Sequence, residues 1–189
     1  MDFVEGEILA FDKPYRWTSF DVVGKARWLL CNRLGVKKLK VGHSGTLDPL
    51  ATGVVVVCTG KKTKLIDQLQ AHQKEYVATL QLGATTPSFD LEKEIDATYP
   101  TEHITRALID EVIPTFLGEQ WQVPPMFSAV KVDGKRAYQL ARQGEEVELK
   151  PKLLVIDEIE VLSFDQTTMQ LVIRVVCSKG TYIRALARD

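Results

Sequence analysis

Cysteine and histidine are scarce in this chain. Cys31, Cys58 and Cys177 lie far apart and form no Cys-x-x-Cys pair, in 189 residues. That argues against a disulfide framework and against a cysteine zinc site. His43, His72 and His103 are equally scattered, so no metal-ligand cluster is expected. Long apolar runs are missing too. The longest, Val54–Cys58, falls far short of the roughly 18 residues of a membrane span. The N-terminus carries Asp2, Glu5 and Glu7 where a signal peptide would carry Lys or Arg. A cytoplasmic protein without membrane association is expected.

What is present suits a folded chain. Apolar residues make up 45% and charged residues 26%, enough to bury a core, which excludes disorder as the main state. The net charge of −1 hides an asymmetry. From Lys13 to Lys64 there are eleven Lys/Arg against two acids, or +9. From Pro87 to Glu119 there are two basic residues against eight acids, or −6. A charge run is often only a solvated face, but the basic segment also suits phosphates, with the acidic segment turned away from them.

The patterning predicts an α+β chain. Ile8–Phe11 reads as a strand, and Thr18 or Ser19 as the cap of a helix with the stripe Val22, Val23, Ala26, Leu29 and Leu30. A turn-rich loop follows over Val41–Gly53, then Val54–Cys58 as a strand buried on both faces. Lys61–Leu69 reads as a short helix, Tyr76–Leu82 as a strand, and Thr101 as the cap of a helix to Ile113, stopped by Pro114. Ala129–Val132, Asp133-Gly134 and Lys135 read as a strand entering a tight turn, and Ala137–Arg142 as a helix. Leu153–Phe164 and Met169–Cys177 read as a hairpin joined by Asp165–Thr168. The chain stops inside a helix begun near Tyr182, which suggests a fragment.

Two apparent motifs fail. Thr59-Gly60-Lys61-Lys62-Thr63 has Val55 where a P-loop needs its first Gly, and Lys62 where it needs a hydroxyl. Gly42-His43-Ser44-Gly45 is one residue short of a nucleophile elbow. The informative stretch is Gly42-His43-Ser44-Gly45-Thr46-Leu47-Asp48-Pro49-Leu50-Ala51-Thr52-Gly53. An Asp before Pro in a turn is commonly structural, its carboxylate satisfying turn amides, and composition alone favours that reading.

That stretch resembles the signature of the TruB family of tRNA pseudouridine synthases. Other segments agree in order and spacing: Asp12-Lys13-Pro14 with Thr18-Ser19, Lys74-Glu75-Tyr76, Gln122–Ala129, Gly134–Tyr138 and Cys177–Arg184. The resemblance covers essentially all 189 residues. It implies a pseudouridine synthase fold, a mixed and mainly antiparallel sheet flanked by helices. It also implies one catalytic domain over 1–189, an RNA-gripping thumb at about 124–152, and a C-terminal PUA domain that is absent here. Two departures stand out. Arg16 occupies a position where the family usually has Gly, and Pro87 and Phe89 alter a Thr-x-Thr/Ser-x-Asp element at Thr85–Asp90.

The implied activity is tRNA pseudouridine-55 synthase, an isomerase acting on the T-loop. It breaks the N1–C1′ bond of a uridine, turns the uracil and rejoins it through C5, with no cofactor and no metal. The implied roles are Asp48 as nucleophile, Arg184 as its ion-pair partner, and Tyr76 as a stacking face for the uracil and a candidate base. The implied RNA contacts are His43, Lys13, Lys64, Lys131, Lys135, Arg136, Arg142, Lys179 and Tyr182. The partner is the T-arm of tRNA, and a monomer is expected. Competing readings are an RNA-guided ribosomal RNA relative and a tRNA-folding protein without required catalysis. A glycosidase ranks last, because it wants two carboxylates flanking the bond and the motif supplies one.

Overall fold

The computed structural model describes residues 1–145 and 147–189, and the chain divides into two compact units, Met1–His72 and Gln73–Asp189. In the first unit, β1 (Ile8–Lys13) alternates exposed and half-buried residues. The chain then turns into α1 (Ser19–Leu34) through a capping box. The Thr18 hydroxyl accepts from the Asp21 amide at 3.1 Å, and the Asp21 carboxylate accepts from the Thr18 amide at 2.8 Å. Each bond satisfies an amide that the first helical turn leaves unpaired. Gly35 ends the helix at φ 65, a left-handed conformation that costs glycine nothing.

The rest of the first unit is β2 (Val41–His43), β3 (Gly53–Thr59), a 3-10 turn over Gly60–Leu65 and α2 (Ile66–Gln70). The sheet order is β1-β3-β2, all antiparallel. Val22 and Val23 of α1 pack with Leu39, Val41, Val55 and Val57 in one cluster. Full burial of each such side chain contributes about 1.5–3 kcal/mol.

The second unit is built on a four-stranded antiparallel sheet, order β4-β11-β10-β7. Its strands are β4 (Lys74–Gln81), β7 (Gly118–Gln122), β10 (Lys152–Asp165) and β11 (Gln170–Cys177). Between β4 and β7 lie the short pair β5 (Ala84–Thr85) and β6 (Ala97–Thr98), then α3 (Arg106–Val112) and a 3-10 turn over Ile113–Phe116. After β7 come the hairpin strands β8 (Lys131–Val132) and β9 (Lys135–Arg136), then α4 (Ala137–Arg142). The last element is α5 (Ile183–Arg188). One sheet face carries Ile156, Leu171, Ile173, Val175 and Cys177, and it packs against Ile109 of α3 and Leu186 of α5.

The architecture is α+β, as expected, and the β10–β11 hairpin forms where the sequence placed it. Asp165 closes its turn by accepting from the Thr167 amide at 2.8 Å. Several boundaries differ. The helix expected from Thr101 begins at Arg106, because Thr105 caps it by accepting from Leu108 at 3.2 Å. Pro114 sits inside a 3-10 turn, where its missing amide is not needed. The strand expected to be buried on both faces leaves Val54 67% exposed, since only one face of this three-stranded sheet meets the cluster. Leu29 drops out of the apolar stripe and is exposed. Lys61–Leu69 splits into the 3-10 turn and a five-residue helix. Val41–His43, expected as loop, pairs with β3. Strand β7 had no apolar alternation to announce it; its sequence is Gly-Glu-Gln-Trp-Gln, and it exists by pairing with β10. Position 146, within the expected thumb, lies outside the described residues.

Candidate active site

In the first unit, the Asp48 loop is held from both sides of the chain that precedes it. Ser19, at the start of α1 and fully buried, accepts from the Leu47 amide at 2.9 Å. The Arg16 amide donates to Pro49 O at 2.8 Å, and Ala51 N closes a turn onto Asp48 O at 3.0 Å. Asp48 itself is half-buried. His43, at the end of β2, donates from Nδ1 to Gly45 O at 2.6 Å, which fixes its tautomer and leaves Nε2 facing outward from that bond.

Lys13 departs from expectation. As an RNA contact it would have to be exposed, but it is fully buried. Its ammonium donates to the carbonyls of Pro14, Trp17 and Pro49. Burial pushes its pKa down, and the charges of Asp48 and Asp21 oppose that shift. Lys13 is therefore a strut beneath the Asp48 loop and a positive charge in the field of its carboxylate.

In the second unit, Tyr76 lies on the inward face of β4, opposite Val175, and packs against the apolar cluster. Arg184 is the second residue of α5. Its guanidinium donates to Ser88 O at 3.0 Å and to Phe127 O at 3.1 Å, and pairs with Asp90 at 3.4 Å. Both side chains of that pair are only 14% exposed. The loop that presents Asp90 is tied by its own hydroxyls. Ser88 Oγ donates to the Asp90 carboxylate at 2.6 Å, and Thr86 Oγ1 donates to Asp90 O at 2.7 Å. Phe89 takes φ 58 to make this possible. The element survives its departures as Thr86-x-Ser88-x-Asp90.

Tyr182 is half-buried, and its backbone is clamped by Gln122. Lys131, Lys135 and Arg136 stand together, exposed, on the β8–β9 hairpin, which turns at Asp133 and Gly134 with φ 49 and 82. Arg142 is exposed with its guanidinium over the Tyr138 ring, 5.4 Å from the centroid. Lys64 and Lys179 are exposed as well. Sequence reasoning missed two parts of the site: Gln122, which sits in the unannounced strand β7, and the Arg184–Asp90 pair. The Thr-x-Ser-x-Asp spacing was the available signal for the second.

A TruB family pseudouridylate synthase (N terminal domain) model matches residues 32–183. The chain belongs to the TruB family. A "tRNA pseudouridine synthase B" of Phocaeicola vulgatus is 69% identical over the whole of this chain and 80% of its own length. One from Flavobacterium johnsoniae is 53% identical, over the whole chain and 82% of its own length. Among solved structures, a Cbf5-Nop10-Gar1 complex contains a chain with a TM-score of 0.67 and 29% identity. The match covers 98% of this TruB-family chain and 43% of that one. No helix among the described residues is long and apolar enough to cross a membrane.

Proposed function

We propose that this chain is a tRNA pseudouridine synthase that isomerises the uridine at T-loop position 55. The observation that carries the reading is the Asp48 loop, a family signature held by buried Ser19 and buried Lys13 around one half-buried carboxylate. The relatives at 69% and 53% identity, both named for tRNA, favour a tRNA substrate over the RNA-guided reading.

In this reading Asp48 attacks as the ionised nucleophile while the N1–C1′ bond breaks. The freed uracil turns and its C5 bonds to C1′ as the bond to Asp48 breaks; the C5 proton leaves to a base and N1 takes up a proton, so nothing is oxidised or reduced. Arg184 keeps Asp48 ionised with a charge that no physiological pH removes. Tyr76 offers a ring face to the uracil and a phenol within reach of its proton. The target base must leave its stack, at a cost of a few kcal/mol. Contacts from His43, Lys64, Lys131, Lys135, Arg136, Arg142, Lys179 and Tyr182 to the RNA offset that cost, with the 124–152 segment as the grip. All these groups lie on one chain, so a monomer suffices. The enzyme works where tRNA is used, in the cytoplasm.

A carbodiimide and alkali primer-stop assay on a T-arm hairpin tests the reading. Wild type should give the stop at the target uridine, and Asp48→Asn should give none while binding RNA within roughly tenfold, about 1.4 kcal/mol. Binding without a stop from wild type would leave a tRNA-folding protein in its place. Product from a clean Asp48→Asn preparation would overturn the nucleophile.

A further inference from the structure

We propose that Ser128 is a positioning residue that links the β8–β9 hairpin to Arg184. Ser128 is 5% exposed, and among the described residues its Oγ has no hydrogen-bond partner. A buried hydroxyl is ordinarily bonded, because water no longer serves it. Other hydroxyls of the second unit follow that rule. Ser88 Oγ donates to the Asp90 carboxylate, Thr86 Oγ1 to Asp90 O, and Thr181 Oγ1 to Ser178 O. Ser128 breaks it, and no step of the reaction described above uses its hydroxyl.

Its place in the chain gives the hydroxyl a use. Phe127 O accepts from the Arg184 guanidinium at 3.1 Å. The next carbonyl, Ser128 O, accepts from the Tyr138 amide at 3.0 Å, and Val130 O accepts from the Ala137 amide at 2.7 Å. Those two amides open α4, which follows directly on Lys135 and Arg136 of β9. One peptide unit therefore separates the carbonyl that Arg184 holds from the carbonyl that α4 holds. Upstream, buried Pro124 and Pro125 stiffen the chain, so a displacement of the hairpin is not absorbed there. All these residues belong to the second unit. The unsatisfied hydroxyl gives this junction two arrangements of different energy. Without RNA it is buried and unbonded. With RNA on Lys131, Lys135 and Arg136, the junction takes the arrangement in which Ser128 Oγ donates to a backbone carbonyl of its own segment, and Arg184 is seated for the reaction. RNA favours that arrangement by as much as it binds it better. The inference rests on the reading above that Arg184 serves Asp48.

The test is Ser128→Ala, read three ways. Free of RNA, the variant should be at least as stable in denaturant as wild type, since alanine leaves no buried polar atom unpaired. With saturating T-arm RNA, its single-turnover rate should fall roughly five- to tenfold, the worth of one hydrogen bond. The stabilisation that RNA confers should be smaller than in wild type. In a Lys131→Gln/Lys135→Gln background, also at saturating RNA, Ser128→Ala should lower the rate by no more than about twofold, because the load that engages the hydroxyl is gone. A free variant less stable than wild type would show that the hydroxyl is already bonded, and overturns the link. So does an unchanged rate at saturation, or a loss that is the same in both backgrounds. If wild type leaves no primer stop, the isomerase reading falls, and RNA-conferred stabilisation still decides the link: a smaller gain for Ser128→Ala keeps it, and an equal gain overturns it.

Discussion

Gln122 and Tyr182 exchange two hydrogen bonds. The Gln122 amide group donates to Tyr182 O at 3.1 Å and accepts from Tyr182 N at 2.9 Å. The pair ties the edge strand β7 to the residue before α5, and so sets where Arg184 starts. Gln122 is buried, so truncation leaves polar backbone with no partner. Gln122→Ala should destabilise the protein by about 2 kcal/mol, as denaturant unfolding reads it. It should also lower the rate more than RNA affinity. A variant as stable as wild type would show that water replaces both bonds.

Arg184 answers to Asp90 in the same way. Removing one partner of a largely buried pair leaves the other charged and poorly solvated. Asp90→Ala should cut the single-turnover rate at least roughly tenfold, about 1.4 kcal/mol, with RNA affinity changed only a few-fold. Arg184→Lys should behave alike, because a point ammonium cannot serve Ser88 O, Phe127 O and Asp90 together. Equal losses of affinity and rate would make Arg184 a backbone contact instead.

Arg16 sits at φ 67, where the left-handed conformation costs a side-chain-bearing residue about 1 kcal/mol. The family glycine at this position has that geometry as its reason, since the Arg16 amide must reach Pro49 O. Arg16→Gly should raise stability by up to about 1 kcal/mol in chemical denaturation, less what glycine adds to unfolded-chain entropy. A clear loss would mean that the guanidinium over the Tyr15 ring outweighs the strain.

Lys13 predicts a pH effect with a definite sign. Burial lowers its pKa from the ordinary 10.5, so the folded state releases the proton before the unfolded state does. Between the lowered value and 10.5 the unfolded chain binds more protons, and stability therefore rises with pH across that window. Lys13→Met should be less stable than wild type by about 2 kcal/mol near neutral pH, from three abandoned carbonyls. The gap should widen as pH climbs toward 10.5. A gap that narrows would reverse the direction of the shift.

Much of the molecule was legible without coordinates. The start of α1 at Thr18 or Ser19 was readable because caps are local, and the β10–β11 hairpin follows from alternation plus a turn residue that satisfies its own amides. The Asp48 loop was legible as a contiguous string of turn residues. Other features depend on partners distant in sequence. Strand β7 is polar and exists by its ladder to β10, and Thr105 displaces Thr101 as a cap through a contest that composition does not decide. Whether a cation meets solvent is likewise a tertiary matter. Lys13 and Lys64 read alike in the sequence, yet three carbonyls from Pro14, Trp17 and Pro49 enclose one while the other stays exposed. A side chain's chemistry is carried by its own residue, but its burial and its charge partners are supplied by chain that lies elsewhere.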